Sequence, residues 1–365
     1  MSNPKFDPKE LKIVGEIPGF FPGMPSTPLF DFPVTRREAY IATMKRKPVW
    51  AITNIETGMF LPKLYPDNVA RAFTFEANPI TREQFGGKDI FGIDWIYIDT
   101  AGGSMVKPGS PFLKDANEWK EKLKWPDVDS WDWEGSSKAN KEYLNNTTYN
   151  LTWIMNGYFE RLISFMDFEG AAIALIDEEQ QDAVKEIFQK LTDLYIKIVD
   201  KFIEYFPQVS GFTVHDDWGS QIEPFFSPAI CEEMLVPAMR RLTDYIHSKG
   251  LYADFHCCGH VERQVPNMIA AGWDSWSGMA MNDTQMLYEK YGDKIIIGVI
   301  PDQFDPMTTS EADQRAAAAK YVEKFCKPGK PSILNFYGAP VLTPAFREEL
   351  YKLSRIKYSE TESIG

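Results

Sequence analysis

From residue 207 onward, short apolar runs and amphipathic stretches take turns along the chain. The runs "VSGFTVHDDWG", "LYADFHCCGH", "DSWSGMA", "KIIIGVIPD" and "SILNFYGAP" read as strands ending in polar loops. Between them stand helix patterns over 228–249, "VERQVPNMIAAG", "DTQMLYEKYG" and "SEADQRAAAAKYVEKFC". Strand–helix alternation at this spacing means βα units on a parallel sheet, because a parallel return needs a crossover. At least five such units in succession point to a (β/α)₈ TIM barrel rather than an open sheet.

The earlier part of the chain fits the same α/β class. Prolines at 4, 8, 18, 22, 25, 28 and 33 forbid a long helix, so residues 1–35 read as an N-terminal segment wrapping over the body. A helix follows over "TRREAYIATMKRK", with Thr35 as its cap, then a strand within "PVWAITNIETGMFLP". Residues 89–112 alternate around a Gly-Gly turn and predict a hairpin, and 179–206 carry the clearest helical spacing. One barrel domain is expected over 36–355, with 356–365 as a loose tail.

Charge and cysteine content narrow the function. The net charge is −13 over 365 residues, with no cluster of Lys and Arg, which argues against a nucleic-acid surface. Four cysteines make no disulfide framework, which points to a reducing compartment. Neither a signal peptide nor a stretch of about 20 apolar residues is visible, so a cytoplasmic protein is expected. Aromatics at 14% leave enough rings to line a pocket as well as fill a core.

Barrel active sites gather at the C-terminal ends of the strands. The strand ends here carry Asn54 and Glu56; His215, Asp216 and Asp217; His256, Cys257 and Cys258; Asp302; and Asn335 with Tyr337. Alternation puts Asp254, His256 and Cys258 on one face and Phe255 with Cys257 on the other. His256 and Cys258 can therefore share a Zn²⁺, which favours tetrahedral N and S ligands, while Cys257 reads as packing. Of the two aspartates only one can face the barrel mouth. Asp216 is the choice, in phase with Phe212 and Val214, and Asp217 reads as a cap. His247 suits a helix C-terminus, His260 a cap or the surface, and Cys231 and Cys326 the core.

With those motifs in view, the chain resembles the uroporphyrinogen decarboxylase superfamily over roughly residues 35–350. The resemblance rests on "RKPVW…GMFLP", "GYFERLISFMDFEGAAIALIDEEQQDAVKEI" and "DFHCCGHVERQVPNMIAAGWD", the last matching an H-x-C-G strand. It implies a (β/α)₈ barrel. True decarboxylases carry arginines after "PVW", where this chain has "AITNIETG". The stretches 89–127 and "HDDWGSQ" look instead like the corrinoid-dependent methyltransferases, in particular those of anaerobic O-demethylation.

That branch implies transfer of a methyl group from an aryl methyl ether to cobalamin on a separate corrinoid protein. It also implies zinc on His256 and Cys258, with a further cysteine from the last barrel strand. Tyr337 stands where that cysteine would be. Either Asp216 or Glu56 completes the zinc shell, or there is no zinc. Asp216, Tyr337 and Glu56 are thus the catalytic candidates. Trp95, Tyr158, Trp218, Phe336, Asn54 and Asp302 are the candidates for holding substrate. Three other readings remain: a decarboxylating lyase, a zinc methyltransferase using an amine or thiol, and a barrel that only binds small molecules.

Overall fold

A computed structural model describes residues 4–17, 26–100, 102–336 and 342–360. Its main elements run as follows. Strands β1 (Ile13–Ile17) and β2 (Thr27–Phe30) precede helix α1 (Arg36–Met44). Then come β3 (Asp94–Ile98), β4 (Gly103–Val106), β5 (Tyr149–Ile154), α2 (Phe159–Ala174), α3 (Gln181–Tyr205) and β6 (Val209–His215). They are followed by α4 (Val236–Ser248), β7 (Tyr252–His256), α5 (Val265–Ala270) and β8 (Ser275–Trp276). The chain continues through α6 (Thr284–Tyr291), β9 (Ile296–Val299), α7 (Glu311–Phe325), β10 (Ile333–Leu334) and α8 (Pro344–Glu360). The architecture is mixed α/β, and its parallel strands with intervening helices are compatible with a TIM-like barrel.

Two compact units divide the chain. One comprises Met1–Gly58, Asn146–Tyr149 and Ser275–Gly365. In it β1 and β2 form an antiparallel ribbon, and β8, β9 and β10 run parallel in chain order. Helix α1 begins where predicted: Thr35 Oγ1 accepts from Glu38 N while the Glu38 side chain reaches back to Thr35 N. The N-terminal segment is fastened to α8 through buried Glu10. Its carboxylate accepts from Tyr351 Oη at 2.6 Å and from Arg355 Nε at 2.9 Å.

The other unit comprises Met59–Asn145 and Asn150–Asp274. Strands β3 and β4 form the predicted hairpin, and β5, β6 and β7 are parallel in chain order. Every residue of β6 is buried, as a strand covered on both faces must be. Helix α3 lays Val184, Ile187, Leu191, Leu194, Ile198 and Phe202 against the interior at helical spacing. Arg161 of α2 is fully buried between Asp67 and Asp89, with Asp89 Oδ2 at 2.7 Å. Gly250 (φ +74°) and Gly272 (φ +81°) follow α4 and α5, each adopting the left-handed geometry that glycine tolerates.

Some segments differ from expectation. The strand expected within 48–62 is a short 3₁₀ turn over Asn54–Glu56 and a strand over Thr57–Met59, with an isolated bridge from Thr53 to Leu334. Strands β8 and β10 keep two residues each, and the described residues that flank them lie outside any strand. Strand β5 escapes a pattern search because its positions are buried on both faces, which erases any period. No helix among the described residues is long and apolar enough to cross a membrane.

Candidate functional site

The candidate site lies at the C-terminal ends of β6 and β7. The two strands pair in parallel with His215 opposite His256, and the imidazoles stack with centroids 5.1 Å apart and planes at 14°. Asp217, two residues beyond His215, brings Oδ1 to 3.7 Å from His215 Nε2. Ligating atoms of His215, Asp217 and His256 all lie within 4.8 Å of one another. Cys258 Sγ is 3.4 Å from His256 Nε2, and the Cys258 amide donates to Asp217 Oδ1 at 2.6 Å.

Around this core sit groups that sequence reasoning passed over. Arg71 Nη2 is 3.4 Å from both ring nitrogens of His215, while its Nη1 pairs with Glu160 at 2.8 Å. Trp153 of β5 lies against His256, centroids 5.1 Å apart. Burial holds the His215 imidazole well below its usual range, helped by the Arg71 guanidinium and by His256. His256 is lowered too, chiefly by burial, although Asp217 works in the opposite sense. Both rings are therefore neutral near pH 7, with lone pairs that a cation could take. Burial, with Asp217 nearby, pushes the Cys258 thiol up.

The alternation on β7 comes out as read: His256 and Cys258 meet, and Cys257 is buried behind them, its Sγ accepting from Trp218 N at 3.3 Å. On β6 the faces are reversed. Asp217, not Asp216, joins the histidines. Asp216 is fully buried and accepts from Phe159 N at 3.2 Å, Glu160 N at 2.8 Å and Trp218 Nε1 at 2.8 Å. It caps the N-terminus of α2. Burial pushes its carboxyl up to about 7 against the pull of those hydrogen bonds. The phase with Phe212 and Val214 misled because both faces of β6 are buried, so hydropathy cannot tell them apart.

The remaining candidates scatter. Trp218 is buried beside Asp216, and the Tyr158 hydroxyl bonds Thr192 and Ala238 O in the helical layer. Trp95 donates Nε1 to Asp89, and Arg71 lies over its ring at 5.0 Å. Glu56, Asn54, Asp302 and Phe336 belong to the other unit. Glu56 is buried there, accepting from Trp50 Nε1 at 3.1 Å and Thr53 Oγ1 at 3.2 Å. Asn54 bridges Asn335 and the Phe336 amide. Asp302 is half exposed and pairs with Lys320. Tyr337 lies outside the described residues.

No protein-family model matches the chain, and no curated protein matches it by sequence. Among solved structures it is similar to a methyltransferase from Methanosarcina mazei. That match has 14% identity and a TM-score of 0.53, and covers 91% of this chain and all of the other. The two share a fold. A second match, to the YdjI aldolase from Escherichia coli K12, has 11% identity and a TM-score of 0.18 over 63% of this chain and 94% of the other.

Proposed function

We propose that the chain is a closed (β/α)₈ barrel that moves a methyl group from a methoxylated aromatic to the cob(I)alamin of a separate corrinoid protein. One observation carries the reading. Two histidines, a carboxylate and a thiol converge at adjoining strand ends, in a fold shared with a solved methyltransferase. Residues 36–355 form the barrel, with 1–35 wrapping it; α8 runs on to Glu360, past the expected start of a loose tail at 356. All four cysteines are free, which suits a reducing, cytoplasmic setting.

An aryl methyl ether resists cleavage because phenolate leaves poorly. A corrinoid would supply the nucleophile, and a zinc ion held by His256 and its neighbours would supply a Lewis acid for the departing ether oxygen. Such a transfer would break the C–O bond with its electron pair left on the phenolate, the methyl group passing to the corrinoid. The chain's own residues position and neutralise. Trp153, its ring tilted 39° to that of His256, offers a ring face to the arene, and Arg71 can face the developing phenolate charge. As the alternative to a zinc ion, the sequence offers Tyr337 as a proton donor for the leaving oxygen. Asp216 acts at one remove, by holding α2 and with it Glu160.

The test mixes the purified protein with a reduced corrinoid protein and a panel of methoxyarenes, following methyl–cobalt by absorbance. Ether-dependent methylation is expected, with loss of rate in Arg71→Ala. Silence across ether, amine and thioether donors would sink the proposal.

A further inference from the structure

His215 and Asp217 stand two residues apart at the end of β6, and His256 faces His215 across the strand register. Their ligating atoms fall within 4.8 Å of one another, and His215 Nε2 is 3.7 Å from Asp217 Oδ1. A tetrahedral ion with bonds of about 2.0–2.1 Å asks for donors roughly 3.3 Å apart. Side-chain rotations that shift each ligating atom by up to roughly 1 Å close the difference. We propose that this chain holds a zinc-type divalent cation on His215, Asp217 and His256, in place of a set built on thiolates. A fourth position is left open.

Three contacts favour that set. Arg71 Nη2 sits at the same 3.4 Å from Nδ1 and Nε2 of His215. The in-plane lone pairs of those atoms diverge, so equal distances mean that Arg71 lies along neither of them and does not take up the Nε2 lone pair. Next, the Cys258 amide grips Asp217 Oδ1 at 2.6 Å, the kind of outer contact that fixes a ligating carboxylate. Cys258 thus serves through its backbone. Last, the Trp153 ring backs His256 at 5.1 Å and limits its rotation. The charges also suit: Arg71 is matched by Glu160, which leaves Asp217 as the unmatched anion facing the site.

The test titrates the metal-stripped full chain with Zn²⁺ and, for its spectrum, Co²⁺. One ion per chain is expected. The Co²⁺ form should show visible d–d bands and no thiolate-to-cobalt charge transfer. Asp217→Ala and His215→Ala should each weaken binding at least about tenfold, while Cys258→Ala keeps both stoichiometry and affinity. Far-UV circular dichroism confirms folding, and Asp217→Asn and His215→Gln replace any alanine variant that fails it. A charge-transfer band lost in Cys258→Ala, an ion retained by Asp217→Ala, or no uptake at all would overturn the proposal. Ion uptake is read without any methyl donor. Binding without methyl transfer counts against the reaction alone, and methyl transfer by protein that takes up no ion counts against the site alone.

Discussion

Asp216 shows how one carboxylate can look catalytic in sequence and be architectural in structure. Two backbone amides at the start of α2 and the Trp218 indole all point at it, and it has no exposure to water. Asp216→Ala leaves three buried donors without an acceptor, each costing on the order of 1–3 kcal/mol. We therefore expect Asp216→Ala to lower the unfolding free energy by at least about 3 kcal/mol in urea titrations. Asp216→Asn, which keeps one acceptor, should lose less. Stability unchanged in Asp216→Ala, with methyl transfer abolished, would return the residue to the chemistry. The reading of Asp217 changes in the same measure, from a local cap to a member of the histidine cluster.

At the level of elements, the loops after β6 and β7 touch backbone to backbone. A methyl group built on Gly259, whose φ is +92°, would lie 2.2 Å from the carbonyl oxygen of Gly219. Neither loop can yield without moving Cys258 or Trp218. Gly259→Ala should cost about 3 kcal/mol or more in thermal or chemical unfolding, through both the clash and the left-handed backbone. Near-native stability would mean that the loops separate freely.

The N-terminal segment offers a second test at this scale. Burial alone would raise the Glu10 carboxyl, but hydrogen bonds from Arg355, Tyr351 and the Asp7 amide outweigh it and leave it below its usual range. A depressed carboxyl stabilises the fold above its unfolded value of about 4.3, and that stability is lost as pH falls through the folded value. Glu10→Gln should thus be less stable than the parent at pH 7, and the gap should narrow below about pH 4. A gap independent of pH would show that packing, not charge, makes the clasp.

Across the whole molecule, the alternation of strand and helix was readable because each crossover needs its own amphipathic stretch. The shared fold with a solved methyltransferase is in keeping with it. The site was half readable. His256 and Cys258 follow from strand phase, whereas His215 and Asp217 were hidden on a strand buried on both faces. Arg71, Glu160 and Trp153 had no local signal, since Arg71 meets Glu160 across 89 positions and His215 across 144. The overall charge of −13 gives a simple check at this scale. Duplex DNA should run unretarded beside micromolar protein in a low-salt gel, and a shifted band would contradict the exclusion of nucleic acid.

The pairing of His215 with His256 has a further consequence for folding. The two rings meet only in one alignment of β6 on β7, and a slip of one residue would turn Phe255 or Cys257 toward His215 instead. Cation affinity would then report alignment: a misthreaded chain could keep its secondary structure and its compactness yet bind nothing. Zinc uptake during refolding would mark the moment when two segments 41 positions apart lock into step, which far-UV circular dichroism does not resolve.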